Sequence, residues 1–428
     1  MSILLYAHKT SPRLQYIIHF IFEELLLQSC RITIDSEEFI THDGIKINYC
    51  NECLAGDEFS VGNCGLLFEN DIRERQVTCF MDNGITAFFK TNNQDFPFDI
   101  FSASFYLLSR YEEYLPHKKD IYGRYAHENS LAFTEKFLHL PLINTWVKQF
   151  TAAIQERFPF FAAYNPPFTF IPTYDIDIAW SFKHKGLWRN IGGFLRSPSI
   201  NRLRVLSGLQ KDPFDAFDWL NNIHRQFDFK PLYFFLVAGQ KGLYDKNIPP
   251  HKTSMWKLVR QHAKKYMIGI HPSWQSGDQP RLLKKEKELL EAMSETPISC
   301  SRQHYVRFNL PDGYRRLMEN GITDDYSMGY GSINGFRASV ASPFFWYDLG
   351  EERATTLRIH PFCFMDANSF YEQQLSAAEA YTELMHYHQV CKEAGGQLIT
   401  IWHNNFLGPG TQFPGWKDIY LQFINSVY

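Results

Sequence analysis

The chain has 428 residues, of which 45% are hydrophobic and 21% charged, the balance of a soluble globular protein with two domains or one large domain with additions. Its formal charge of −3 gives no overall electrostatic case for nucleic acid or an anionic membrane as a partner. Aromatic residues reach 16%, enough for a large core and also for surfaces on which sugars stack.

The opening segment lacks the basic start, continuous apolar core and cleavage site of a signal peptide. Ile17, Ile18, Phe20, Ile21, Leu25 and Leu26 recur at helical spacing, with His19, Glu23 and Glu24 between them, which predicts an amphipathic helix rather than a membrane span. No stretch has transmembrane length, and a cytoplasmic protein is expected. Strand-like pieces, RITID and QVTCFM, follow, then a helical region from Asp99 in which Arg110-Tyr-Glu-Glu113 reads as a solvated face. Cys50 and Cys53 form a CxxC pair, with Cys64 and Cys79 beyond, but no histidine nearby completes a zinc pattern, and reduced thiols are expected.

Tyr164-Asn-Pro-Pro167 ends a helical stretch over residues 143–157 and divides the chain into residues 1–163, a smaller mixed α+β domain, and residues 164–428. From Phe168 the pattern becomes regular. FTFIPTYDID leads into a long polar connection, then a helix near residues 213–227. PLYFFLVAG, MIGIHPSW, ISCSRQHYV, ITDDYSMGY, TLRIHPFCFMD and QLITIWHNN follow as strands separated by helices. Alternating strands and helices predict an α/β fold with a parallel sheet, and six or seven units in this length suit a closed or nearly closed β/α barrel.

Polar residues collect at one end of these strands: Asp175 and Asp177, His271, Arg302 and His304, Asp324 and Asp325, and His403. In a barrel such strand ends surround one mouth. Residues i and i+2 of an extended segment face the same side, so Asp175 and Asp177 can share a pocket. Two close carboxylates need a cation or an arginine to remain ionised, and one can ligate a metal while the other acts as base. An Asp-x-Asp turn and satisfied strand-end histidines are the alternative readings of the same residues.

Thr173-Tyr-Asp-Ile-Asp177 resembles the first motif of the NodB-homology polysaccharide deacetylases (carbohydrate esterase family 4-like), Gly269-Ile-His-Pro-Ser273 the second, Ser301-Arg-Gln-His-Tyr305 the third and Ile401-Trp-His-Asn404 the last. Asp325-Tyr-Ser327 resembles a further segment found in some members, and the N-terminal part is similar to the uncharacterised domain that precedes such modules in a Bacteroidetes-type subgroup. The resemblance implies a deformed (β/α)7 TIM-like barrel and hydrolysis of an N- or O-linked acetyl group on a carbohydrate, with a divalent metal, zinc first. It implies Asp175 as base, Asp177 and His271 as metal ligands, Arg302 as the group holding the base, and His403 as acid. The second motif normally supplies another histidine where this chain has Gln275; His304, where the family usually has proline, is the candidate replacement ligand. Trp274, Tyr305, Trp402 and Arg337 are candidate substrate contacts, Arg337 alternatively pairing with Asp324 or Asp325. The expected partner is an acetylated carbohydrate, with no nucleic acid. A catalytically silent carbohydrate-binding protein, and hydrolysis of a non-sugar amide, are the competing functions.

Overall fold

The computed structural model describes residues 2–92, 94–196 and 198–427. The N-terminal region opens with β1 (Ile3–Tyr6), β2 (Cys30–Thr33), β3 (Ile45–Asn48) and β4 (Phe59–Ser60), a parallel sheet of order β2-β1-β3-β4, followed by the hairpin β5 (Cys79–Asp82) and β6 (Ile85–Phe88). The helix Pro12–Ile18 starts with Pro at its first turn and Ser11 as cap, the Ser11 side chain accepting from Leu14 N–H. Ile17, Ile18, Phe20, Ile21, Leu25 and Leu26 are all buried, as their spacing predicts.

Nine strands form the large sheet: β7 (Thr169–Ile176), β8 (Leu232–Phe235), β9 (Met267–Ile270), β10 (Cys300–Ser301), β11 (Asp324–Asp325), β12 (Phe344–Asp348), β13 (Arg353–Ile359), β14 (Phe364–Met365) and β15 (Gln397–His403). Their order is β12-β13-β11-β10-β9-β8-β7-β15-β14, with every neighbouring pair parallel except β12 and β13. The expected parallel α/β sheet is therefore present, and no ladder joins its two ends among the described residues. TLRIHPFCFMD, read as one strand, is two, because they lie at opposite ends of this order.

The sheet is rolled. Two strands separate β10 from β7, about 14 Å on a flat sheet. Yet Arg302, just past β10, donates to Thr173 Oγ1 and Asp175 Oδ1 at 2.7 and 2.8 Å. Gly269 makes room inside the roll, since a Cβ there would lie 2.6 Å from the Phe234 ring and 2.9 Å from the Cys300 carbonyl.

Outside the sheet, His224 and His262 are buried among aromatic rings, with His224 Nε2 at 2.8 Å from the Tyr174 hydroxyl. Burial, with each other's charge for His224, pushes the two imidazoles down to about 3 and about 4. They fold neutral, whereas unfolded histidines titrate near ~6.5, so stability is intact above that value and is lost as pH falls through it toward the folded values. We expect the loss to reach ~1.4 kcal/mol per pH unit per ring, and His262→Phe to flatten the slope of urea midpoints measured from neutral to mildly acidic pH.

Residues 1–163 are tied to the sheet by buried charge. Arg13, fully buried, pairs with Glu352, and Arg337 pairs with Glu113 at 2.5 Å. Arg110-Tyr-Glu-Glu113 is thus no solvated face: Arg110, Tyr111 and Glu113 are buried, and Glu113 bonds both Arg110 and Arg337. The partner that removes this segment from water lies 224 residues away. No helix among the described residues is long and apolar enough to cross a membrane.

Candidate active site

β7 alternates, with Tyr174 outside against His224 and Tyr420, and Thr173 and Asp175 inside. Asp177 continues the inward series just past the strand. β15 pairs with β7 so that His403 lies opposite Asp175 and Trp402 opposite Tyr174. Trp402 is therefore fully buried on the outer side against Tyr420 and Trp416, away from any substrate. Beyond β9 and β10 the backbone keeps its parallel bonds, His271 N–H to Phe235 O and Arg302 N–H to Ile270 O, which carries both side chains into the mouth.

Asp175, Asp177, His271, Arg302, His304 and His403 meet there. Asp175 Oδ1 is held by Arg302, whose guanidinium lies 4.4 Å from the Phe234 ring centre and also donates to Tyr326 O. The other carboxylate oxygen, Oδ2, faces His271 Nε2 at 3.8 Å. Asp177 is the centre of three histidines: His271 Nε2 at 3.2 Å, His304 Nε2 at 3.5 Å and His403 Nε2 at 3.7 Å.

Each imidazole is fixed through its other nitrogen. His271 Nδ1 donates to the Arg302 carbonyl at 2.6 Å, His304 Nδ1 lies 3.1 Å from Asp245 Oδ1, and His403 Nδ1 lies 2.6 Å from Asp366 Oδ1. A carbonyl or carboxylate accepts only, so Nδ1 carries the proton and Nε2 points at Asp177, the tautomer a metal-ligating histidine needs.

Ligand atoms of Asp177, His271 and His304 lie within 4.8 Å of one another, and among the described residues this is the group of three such side chains placed to hold a metal ion. Asp177 Oδ1 is buried with no hydrogen-bond partner. An orphaned anionic oxygen between two imidazole nitrogens fits a cation. Burial raises the Asp177 carboxyl, but His304, His271 and His403 outweigh it and hold it well below the carboxylate range. Burial lowers His304, and Asp177 and Asp245 outweigh it to bring it to about 9. His403, likewise lowered by burial, is raised by Asp366 and then by Asp177 and Asp175 to about 10.

Gln275 stands outside this group. Its amide donates to Asp245 Oδ2 at 3.2 Å, so it steadies the carboxylate that orients His304. Asp324 and Asp325 do not face the mouth: Asp324 bonds His360, and Asp325 accepts from Ser301 and Ser327. Arg337 meets neither of them, being buried against Glu113 and the Gly329 carbonyl. The eight cysteines are free, and Cys50 and Cys53 each bond a nearby carbonyl.

The cavity over the site, of about 680 Å³, is lined by Tyr305 and by residues the sequence did not suggest, Tyr122, Arg124 and Tyr244. Tyr122, Tyr244, Trp274 and Tyr305 form a cluster with ring centres 4.1 to 5.9 Å apart, with Trp274 behind Tyr244. Arg124 donates to the Tyr305 carbonyl and to Asp120, and Gly331 admits it, since a Cβ there would lie 2.0 Å from Nη1. Part of the wall thus comes from residues before position 164.

Residues 3–159 match a family of unknown function, DUF7033, over less than half of the chain. No curated protein matches at a significant level. The solved structures similar to this chain at low identity include the following three. One from Mycobacterium smegmatis, described as a polysaccharide deacetylase, is 15% identical, with 62% of this chain and 85% of that one aligned at a TM-score of 0.41. Puue allantoinase is 12% identical, over 61% and 84%, at 0.40. A Bacillus anthracis protein described as a CE4 family pseudoenzyme is 10% identical, over 62% and 63%, at 0.30. At such scores the likenesses decide nothing about chemistry, which rests on the side chains.

Proposed function

We propose that the protein is a metal-dependent hydrolase that removes N- or O-linked acetyl groups from a carbohydrate. In this reading residues 164–428 form a deformed (β/α)7 barrel, residues 1–163 a preceding domain, and the protein is cytoplasmic. The observation that supports it most is the Asp177, His271 and His304 group with each Nδ1 tied back, beside an Asp175 held by Arg302.

Asp177, His271 and His304 would hold a divalent cation, zinc in this reading, which when bound supplies Lewis-acid polarisation at the scissile acetyl group. Asp175, its Oδ1 fixed by Arg302, takes a proton from the attacking water through Oδ2. The water oxygen bonds the acetyl carbon, the C–N or C–O bond breaks, and His403 gives a proton to the leaving atom. Asp366 favours the cationic imidazole that this step requires.

Gln275, in place of a histidine, is the feature that favours the competing reading, a carbohydrate-binding protein without catalysis. Metal content and acetate release separate the two: the hydrolase copurifies with near-stoichiometric metal and frees acetate from acetylated sugars, and a binding protein does neither. The aromatic wall is assigned to the sugar, so Tyr122→Ala should raise KM for an acetylated oligosaccharide about tenfold, one lost stacking contact being worth ~1 kcal/mol or more, with kcat nearly unchanged. An unchanged KM would remove Tyr122 from the substrate site.

A further inference from the structure

Between Asp177 and Asp212 the chain carries seven Lys or Arg and no acidic residue, although the whole protein has a formal charge of −3. This connection forms two helices, Leu187–Arg196 and Ile200–Leu206. They pack through Arg202, which donates to the Asn190 carbonyl at 3.0 Å and lies so near Gly193 that a Cβ there would fall 2.3 Å from its Nη1. Val205 turns inward and is buried.

The opposite faces are aliphatic and open. Ile191 and Leu195, one turn apart, are 41% and 77% exposed, and Ile200 and Leu203 are 63% and 48% exposed. Leu206 and Leu209 continue the row at 45% and 82%. Single exposed leucines are ordinary; six large aliphatic side chains in one short segment mark a surface that is covered in use.

Lys211 pairs with Asp215 and Asp218, whereas no ion pair forms at the other six cations among the described residues. Arg189 Nη1 and Arg202 Nε are buried without an acceptor. Asp212, whose charge reaches Lys185, already accepts from the backbone N–H groups of Ser181, Phe182, Lys183 and Phe214. Burial, then the neighbouring Arg189, brings the Lys185 ammonium down to about 8, with Asp212 offsetting part of the shift.

We propose that this helical pair docks the protein on an anionic lipid bilayer, its aliphatic face in the acyl boundary and its cations on headgroup phosphates. A second copy of the chain is the poorer occupant, because a symmetric contact would set the same unpaired cations against themselves. The proposal stands independently of what the candidate active site does.

The full-length protein mixed with vesicles of phosphatidylcholine alone, or with about 30% phosphatidylglycerol, tests it by co-sedimentation. We expect at least about tenfold stronger binding to the anionic vesicles, weakened by added salt. Arg196→Glu with Arg204→Glu, and separately Leu195→Ser with Leu203→Ser, should each cut that binding at least about tenfold. All four side chains are exposed, so the thermal midpoints should match wild type. Equal binding to both vesicle types, or undiminished binding in either variant, overturns the proposal. So does a wild-type dimer that ignores lipid and that Leu195→Ser with Leu203→Ser dissociates.

Discussion

His304→Ala should strip the protein of tightly held divalent metal and lower kcat/KM for acetate release by about a thousandfold or more, the scale of losing several kcal/mol of Lewis-acid stabilisation. The reason is geometric. Asp177 and His271 alone offer two ligands, too few for a tetrahedral site that keeps one position for water. His304 supplies the third through Nε2, with Nδ1 fixed by Asp245. Gln275→Ala is the informative contrast. Gln275 touches Asp245 and not the ligand group, so its loss should weaken metal affinity by about 10–100-fold without abolishing binding. Metal-to-protein ratios after dialysis, for wild type, His304→Ala, Gln275→Ala and Asp177→Ala, read this directly. Full retention of metal in His304→Ala, or complete loss in Gln275→Ala, would reverse the two assignments.

That contrast also shows how far the site was legible from residue order. The strand-end residues could be placed because a parallel sheet brings its C-terminal ends to one mouth, and a strand's two-residue period put Asp175 and Asp177 on one side. His304 was reachable for the same reason, as the residue two past Arg302 at the next strand end. The carboxylates that orient the histidines were not. Asp245 sits in the long connection after β8, 59 residues before His304, and Asp366 follows the two-residue strand β14. Asp245 lies in no periodic segment that would mark it as facing inward, and Asp366 closes TLRIHPFCFMD, where its place at a strand end is obscured because that stretch reads as one strand rather than two. Tyr122 and Arg124 were hidden for a stronger reason, since they reach the cavity from a loop in another part of the chain. Trp402 failed differently: beside a catalytic candidate in sequence, it points to the opposite face because neighbours on a strand alternate. The connection over residues 178–211 looked merely polar, and overall charge suggested no affinity for anionic membranes, because a net value of −3 averages away a local run of cations.

Glu113→Ala should destabilise the fold by ~3–5 kcal/mol, the usual cost of removing one partner from a buried ion network. Glu113 accepts from Arg110 Nε at 2.8 Å and from Arg337 Nε and Nη2 at 2.8 and 2.5 Å, and all three side chains are at most 2% exposed. Without it, two guanidinium groups face each other out of water, with the Tyr330 hydroxyl and the Gly329 carbonyl among their few remaining acceptors. Burial raises the Glu113 carboxyl, but Arg337 and Arg110 outweigh it and hold it at about 2. Its contribution is therefore complete above the unfolded carboxyl value of ~4.3 and is lost as pH falls from there toward 2. Urea midpoints at neutral pH should show the full deficit in Glu113→Ala at an unchanged m-value, and the deficit should shrink in acid as wild type loses the same interaction. Replacing all three residues by apolar ones, Arg110→Met, Glu113→Leu and Arg337→Met, should recover most of the stability, since desolvating three charges offsets much of their attraction. If the triple variant stays as unstable as Glu113→Ala, the network contributes net stability rather than fixing how residues on either side of position 164 come together.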